Sequence, residues 1–397
     1  MLKKLFYPKT IAVIGASEHS KKVGGILMNK LSLFKGKVVP INPNYEELFG
    51  KKVYTLVEKY KGKIDLAIIA IPSKKVKNVL LECAKKKIKN IIIISAGFLE
   101  VGNIKGEEEI KKITKKYNLN VLGPNCFGIA NPEINLDTTF SASMPKKGDI
   151  AFVSQSGALW SYISDLNIGF SKFVSLGNMS DIGFEDLIKY LNKDKKTKKI
   201  ICYIEKLKYG RKFIEVCKKS KKEIYVVKAG KTKEGEKAAV SHTGSLATDY
   251  KIYNGAFKQA KVKQVDSLLS ALNMKKDNIK IPKGNVAIIT NAGGAGVLIS
   301  DLVESKNKGA VKEVNDIIGT ATAKDYEREL KKIKYKKYKN IIIVLTPQSM
   351  SEPENTAKVI SNSKLKRKII VFFLGDKSIK SAKNILEKNK IKCYTKI

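Results

Sequence analysis

Arginine is nearly missing. Of the 77 Lys and Arg side chains in this 397-residue sequence, only Arg211, Arg328 and Arg367 are arginines. Readers of nucleic-acid bases and phosphates lean on the bidentate guanidinium fork. A formal charge of +40 therefore does not by itself make a nucleic-acid binder. The lysines are spread over every amphipathic segment and form no basic tail, which reads as solvated faces with an attraction for anionic ligands. Aromatic or arginine platforms for single strands are absent as well. Cysteine is sparse: Cys83, Cys126, Cys202, Cys217 and Cys393 never form a C-x-x-C pair. That argues against a structural zinc site and for a reducing compartment, the cytoplasm; no metal-ligand set is read in this chain. No apolar run is long enough to cross a bilayer, so no membrane role is expected. The opening MLKKLFYPKTIAVIG has an apolar segment too short and too β-like for a signal peptide. Histidine occurs twice, as His19 and His242.

What is present is a rhythm of short β-branched runs alternating with lysine-rich helical segments. Thr10 to Gly15, Lys37 to Asn42, Leu66 to Ile71, Asn90 to Ser95 and Asn120 to Leu122 are such runs. Continuous apolar strands between amphipathic helices predict a parallel sheet covered on both faces. The spacing predicts a Rossmann-like domain over residues 1–135. Its ligand is not expected to be NAD. Gly15, Gly24 and Gly25 miss the G-x-G-x-x-G spacing, and Pro40-Ile41-Asn42-Pro43 stands where a ribose-binding acid belongs. The small residues after Gly15 still suit a phosphate at a helix start. Gly123-Pro124-Asn125-Cys126-Phe127-Gly128 ends the fifth run in an irregular turn. Such a turn is either a ligand-binding sheet edge or a plain strand-to-linker corner.

A second α/β unit, 145–277, begins with a strand at Ala151–Val153. It passes through Ser154-Gln155-Ser156-Gly157 into a helix containing Trp160. Strand, small hydroxyl and glycine residues, then helix is the layout of an anion site; on this motif alone, ordinary N-capping by serine is the better reading. Further strands are expected at Lys172–Leu176, Ile200–Glu205 and Glu223–Val227. Glu205 ends its apolar run at a sheet edge, where it serves either to orient an imidazole or as a surface acid. From the last of these strands the chain enters KAGKTKEGEKAAVSHTGSLA, Lys228 to Ala247. His242 sits there between small hydroxyl residues on a glycine-punctuated loop. A largely neutral imidazole so presented is a nucleophile toward a phosphoryl group; the plainer reading is a solvated loop histidine. A third unit, 283–397, runs Val286–Thr290 into Asn291-Ala-Gly-Gly-Ala-Gly296, with later strands at Ile341–Leu345 and Ile369–Leu374.

Seven stretches in this order, IAVIGAS, INPNY, GPNCFGI, SQSGAL, LGNMSD, YIE and SHTGSLA, resemble the alpha subunit of ADP-forming acetyl-CoA synthetases. That family lies within the nucleoside-diphosphate-forming acyl-CoA synthetase superfamily, which includes succinyl-CoA synthetase. The resemblance covers residues 5 to 300 well and the rest loosely. It implies an α/β fold: a Rossmann-like CoA-binding domain, then two flavodoxin-like, succinyl-CoA synthetase-like domains. It also implies a ligase that reversibly turns acyl-CoA, phosphate and ADP into free acid, CoA and ATP. By resemblance, His242 is the phosphorylated histidine, Glu205 the glutamate bonded to it, and Ser154, Gln155, Ser156 and Gly157 the phosphate turn. Gly15, Ala16, Ser17, Pro40, Asn42, Pro72, Asn125 and Cys126 lie in the segments that match the CoA edge. CoA is then a substrate, and no ATP-grasp domain is read here. ADP or ATP, with Mg²⁺, is therefore expected on a separate ATP-grasp beta subunit in a hetero-oligomer.

Two departures carry expectations. Trp160 stands where relatives often have glycine and is expected to narrow the acyl pocket. The third domain is expected to be shortened, lacking its usual second strand after Glu304. The competing function is a CoA-binding regulatory sensor without catalysis; joint retention of His242, Glu205 and the SQSG turn speaks against it.

Overall fold

The computed structural model describes residues 2–233, 235–237, 239, 250–306, 310–334 and 337–397. His242 and the surrounding SHTGS motif lie outside the described residues.

Three parallel-type sheets follow one another along the chain. The first is built from β1 (Thr10–Ile14), β2 (Lys37–Ile41), β5 (Leu66–Ile69), β6 (Asn90–Ile93) and β7 (Asn120–Leu122). A short hairpin, β3 (Glu47–Leu48) and β4 (Lys51–Lys52), follows β2. The spatial order is β2-β1-β5-β6-β7, all parallel. Ile11, Ala12 and Val13 on the inner strand β1 have no exposed surface. An unbroken apolar run is the composition required when helices cover both faces. Covering helices such as Ser73–Lys85 and Ile104–Tyr117 turn lysines outward and bury Val76, Leu80, Ile110 and Ile113. The second of these starts at Asn103, whose side chain accepts from Gly106 N at 3.0 Å, and ends on Asn118 in the left-handed region.

The second sheet comprises β8 (Ile129–Asn131), β9 (Leu136–Asp137), β10 (Lys146–Ser154), β11 (Gly169–Ser175), β12 (Lys199–Ile204), β13 (Glu223–Lys228) and β14 (Lys263–Gln264). Its order is β14-β13-β12-β10-β11-β8-β9, with β8 and β9 antiparallel to their neighbours. The segment around residue 135 therefore leaves the first sheet and edges the second. The third sheet, β16-β15-β17-β18-β19, is formed by β15 (Val286–Thr290), β16 (Val311–Asp316), β17 (Asn340–Leu345), β18 (Ile369–Phe373) and β19 (Cys393–Tyr394).

β16 corrects the expectation of a missing second strand: it pairs in parallel with β15 from Val286↔Val311 to Thr290↔Asp316. It is an edge strand with only Val311 buried, so its sequence, VKEVND, lacks the apolar run that marks the inner strands. Trp160 is a second correction. It has no exposed surface, stacks on Phe173 (centroids 4.2 Å apart, planes 2° apart) and meets Phe170 edge-on at 5.1 Å. It fills the space between its helix and β11. Among the described residues no helix is long and apolar enough to cross a membrane.

Candidate active site

The carboxyl ends of β1, β5, β10 and β15 converge on one cavity of about 1760 Å³, walled by residues from all three sheets. Gly15, Ser17, Asn42, Pro72, Asn125 and Cys126 line it at the first sheet, and Gln155, Ser156 and Gly157 at the second. The cavity thus brings together nine of the residues singled out in sequence. Ala16, Pro40, Ser154 and Glu205 stand behind its wall. Ala16 O accepts the Asn42 side-chain amide at 2.7 Å, which fixes the β1 turn against the end of β2. Ser17 Oγ accepts from His19 N at 3.2 Å. The Ser154 hydroxyl donates to Ser156 O at 2.6 Å and so shapes the turn from within.

Glu205 is buried one strand away, joined to that turn through Gln155. Gln155 Oε1 accepts the amides of Glu205 (2.6 Å) and Lys206 (2.7 Å). A move of Gln155 is therefore felt at Glu205. Behind Glu205, Lys228 ends β13 almost fully buried, its ammonium on Ala229 O and 4.5 Å from the centre of the Tyr253 ring. Burial lowers its pKa to about 8 against the opposing pull of Glu205, Asp301 and Glu236. Nothing in the sequence pattern separates this lysine from its many neighbours.

The thiol of Cys126 donates to Ile93 O at 3.3 Å, and burial pushes its pKa up to about 12. At neutral pH it is a protonated hydrogen-bond donor and not a nucleophilic thiolate. Asn125, in the left-handed region at φ 54°, donates to Asn178 Oδ1 at 3.3 Å. Asn178 N in turn reaches Pro124 O, and Ser180 N reaches Gly123 O. The GPNC and GNMS turns thereby form one knitted rim between the first two sheets.

The larger surprise is the glycine turn of the third sheet. The Tyr203 hydroxyl, on β12, donates to Gly294 O at 3.1 Å; a Cβ on Gly294 would collide with the Ser156 hydroxyl. Only glycine lets the two strand-to-helix turns touch. Asn291, buried at the same turn, donates to Gln348 Oε1 at 2.7 Å and Thr346 O at 3.0 Å. The Asn291–Gly296 glycine run was legible as a turn, but its meeting with Gln155–Gly157 was not.

Comparison with known proteins places these features in a family. Residues 9–132 match the model described as a CoA binding domain, and 147–276 the succinyl-CoA ligase like flavodoxin domain. The acetate–CoA ligase [ADP-forming] II subunit alpha of Pyrococcus furiosus is 40% identical, over 99% of this chain and 94% of that protein. The chain belongs to the ADP-forming acetate–CoA ligase family. A Methanocaldococcus jannaschii acetate–CoA ligase [ADP-forming] is 42% identical over 99% of this chain; the chain spans only 61% of that protein. Among solved structures, an acetyl-coenzyme A synthetase 1 of Ca. Korarchaeum cryptofilum, in complex with phosphate and ADP, superposes with a TM-score of 0.66. It is 33% identical over 100% of this chain and 94% of its own.

Proposed function

We propose that this chain is the alpha subunit of an ADP-forming acid–CoA ligase, converting acyl-CoA, phosphate and ADP to free acid, CoA and ATP through a phosphohistidine at His242. The observation that carries this reading is the single cavity joining the Gly15–Asn42 edge to the Gln155–Gly157 turn. CoA lies along the first sheet, with Lys21 and Lys22 at the cavity wall beside the Gly15 turn to meet its phosphates. Its thiol end points toward Asn125 and the second sheet.

Inorganic phosphate at the Gln155–Gly157 turn attacks the thioester carbonyl. The C–S bond breaks, CoA leaves as the thiol, and an acyl phosphate remains. Neutral His242 imidazole then attacks phosphorus, the acid leaves as carboxylate, and the phosphoryl group is carried on the ring to a nucleotide. Glu205 stabilises the imidazole as its charge rises. The facing Asn291–Gly294 turn closes the same phosphate region from the third sheet. We assign three domains, 1–135, 145–277 and 283–397, to these parts.

ADP or ATP, with Mg²⁺ neutralising its phosphates, belongs to a separate ATP-grasp beta subunit. Two facts support a partner: the P. furiosus relative is named a subunit, and the M. jannaschii relative is much longer than this chain. Five free buried thiols suit a cytoplasmic setting. The regulatory-sensor reading gains nothing from relatives that are themselves named ligases.

The test is the direction of labelling. Acetyl-CoA with labelled phosphate places acid-labile, base-stable label on the chain, and the label is lost in His242→Asn. Label from γ-labelled ATP appears only once an ATP-grasp subunit is added. Stoichiometric labelling from ATP by the chain alone would overturn the division of sites. No label from either side with the partner present would favour the sensor.

A further inference from the structure

The proposed reaction needs a place for the acyl group, and the sequence pointed to Trp160 for it. That side chain is walled into the core. If phosphate attacks at the Gln155–Gly157 turn, the acyl carbon lies beside that turn, on the side away from the CoA arm. The first side chain there is Phe127: a Cβ on Gly157 would collide with Phe127 Cβ. Phe127 is covered in turn by Phe140, their ring centroids 3.8 Å apart at 40°. Both rings and Gly157 line the cavity.

Phe140 belongs to the connection between β9 and β10, outside every motif quoted above, and the third domain holds its backbone. Ser349 N donates to Phe140 O at 2.8 Å, and Ala142 N to Pro347 O at 3.1 Å. The ring is only partly buried. Opposite it, after β16, a carbon built on Gly319 would stand 3.7 Å from Phe140 Cε2. That is ordinary contact distance, so no acyl chain threads between them. Its neighbour Ile318 is held at φ 62° with its apolar side chain 64% exposed on the cavity wall. A β-branched residue in the left-handed region is a true outlier, and such outliers gather at ligand sites.

We infer that Phe140, backed by Phe127 and faced by Gly319 and Ile318, is the end wall of the acyl pocket and restricts the ligase to short-chain carboxylic acids. This rests on the proposed CoA site and phosphate turn. The wall is assembled from three parts of the chain: the end of the first domain, the linking strap and the β16 edge. The Asp316 carboxylate stands beside it, accepting the Ile318 amide at 2.9 Å, while the surface the two rings and the Ile318 side chain offer is apolar and selects by size.

Calorimetry on the full chain with CoA, acetyl-CoA, isobutyryl-CoA and phenylacetyl-CoA tests it without needing catalysis or a partner. In Phe140→Ala the affinity of phenylacetyl-CoA relative to CoA rises about tenfold or more, the scale of one or two methylenes in a hydrophobic pocket. Phe140→Trp moves isobutyryl-CoA the other way, which keeps the test usable if the alanine variant folds poorly. Gly319→Ala lowers the same ratio from the opposite side. Unchanged ratios in these variants, with CoA still bound, overturn the wall and leave the CoA site standing. A wild-type chain that binds none of the four ligands overturns the CoA site itself, and the wall with it.

Discussion

Thr232 gives both of its polar hydrogens to one carboxylate: its amide at 3.0 Å and its hydroxyl at 2.9 Å reach Asp301 Oδ1. Asp301 also accepts the amides of Gly230 and Lys231, each at 2.9 Å. The acid sits on the third-sheet helix Gly293–Lys306, the amides on the turn that leaves β13 toward the SHTGS motif. The third domain thus holds the entrance to the histidine segment.

From this clamp we expect Asp301→Ala to lower stability by about 2 kcal/mol, the scale of charged hydrogen bonds lost to one acceptor. Labelling of the chain from acetyl-CoA and phosphate should fall, while calorimetric CoA affinity holds. Loss of CoA affinity to the same degree would mean that Asp301 supports the whole cavity.

CoA should bind the isolated chain and NADH should not. On the proposed placement of the CoA phosphates beside Lys21 and Lys22, the affinity should weaken several-fold between about 0.05 M and 0.5 M salt. Tight NADH binding with no CoA binding would end this reading of the first domain.

Glu205→Gln keeps the backbone amide that Gln155 holds and removes only the charge. We expect at least about a tenfold drop in steady-state phosphorylation, equivalent to one pKa unit of imidazolium stabilisation. CoA binding measured in parallel should not move. An equal loss of both would make Glu205 a structural residue.

Lys228 carries the pH prediction. Its pKa is about 8 in the folded chain, below the ordinary 10.5. Between those values the unfolded chain binds more protons, so this side chain's contribution to stability rises with pH; below about 8 it is flat. The groups that face it are Glu205, Asp301, Glu236, Lys231 and the Tyr253 ring. The stability of wild type relative to Lys228→Met should therefore improve by up to about 3 kcal/mol from pH 8 to 10.5. A constant difference in denaturant midpoints across that range would show that the ammonium is not buried in solution.

Trp160 separates packing from selectivity. Removing its stack on Phe173, as Trp160→Ala, should cost about 3–5 kcal/mol without altering the relative affinities of the acyl-CoA series. Trp160→Phe should cost less, since the indole N–H has no hydrogen-bond partner among the described residues and its loss leaves nothing unsatisfied. A shift in acyl preference with either variant would return Trp160 to the pocket.

The features legible from the residues alone are local. Runs such as IIIVL and LAII are apolar at every position and so declare inner parallel strands, whatever surrounds them. Small residues after a strand declare a turn where backbone can approach a ligand. Gly15, Asn125 and the SQSG turn were legible for that reason, Asn42 and Pro72 only through the family resemblance; of these, Gly15, Asn42, Pro72, Asn125 and Gln155 to Gly157 line one cavity. The tertiary structure decided what depends on distance across the chain. β16 was hidden because an edge strand exposes its polar side chains and loses the apolar run. Trp160 was misjudged because the side of a helix that meets the next sheet is set by packing, not by position in a motif. The approach of Gly294 to Ser156, the reach of Asp301 to Thr232 and the contact of Phe140 with Phe127 leave no periodic signal. Each is made by two segments that the chain brings together only when three separate sheets close around the same space.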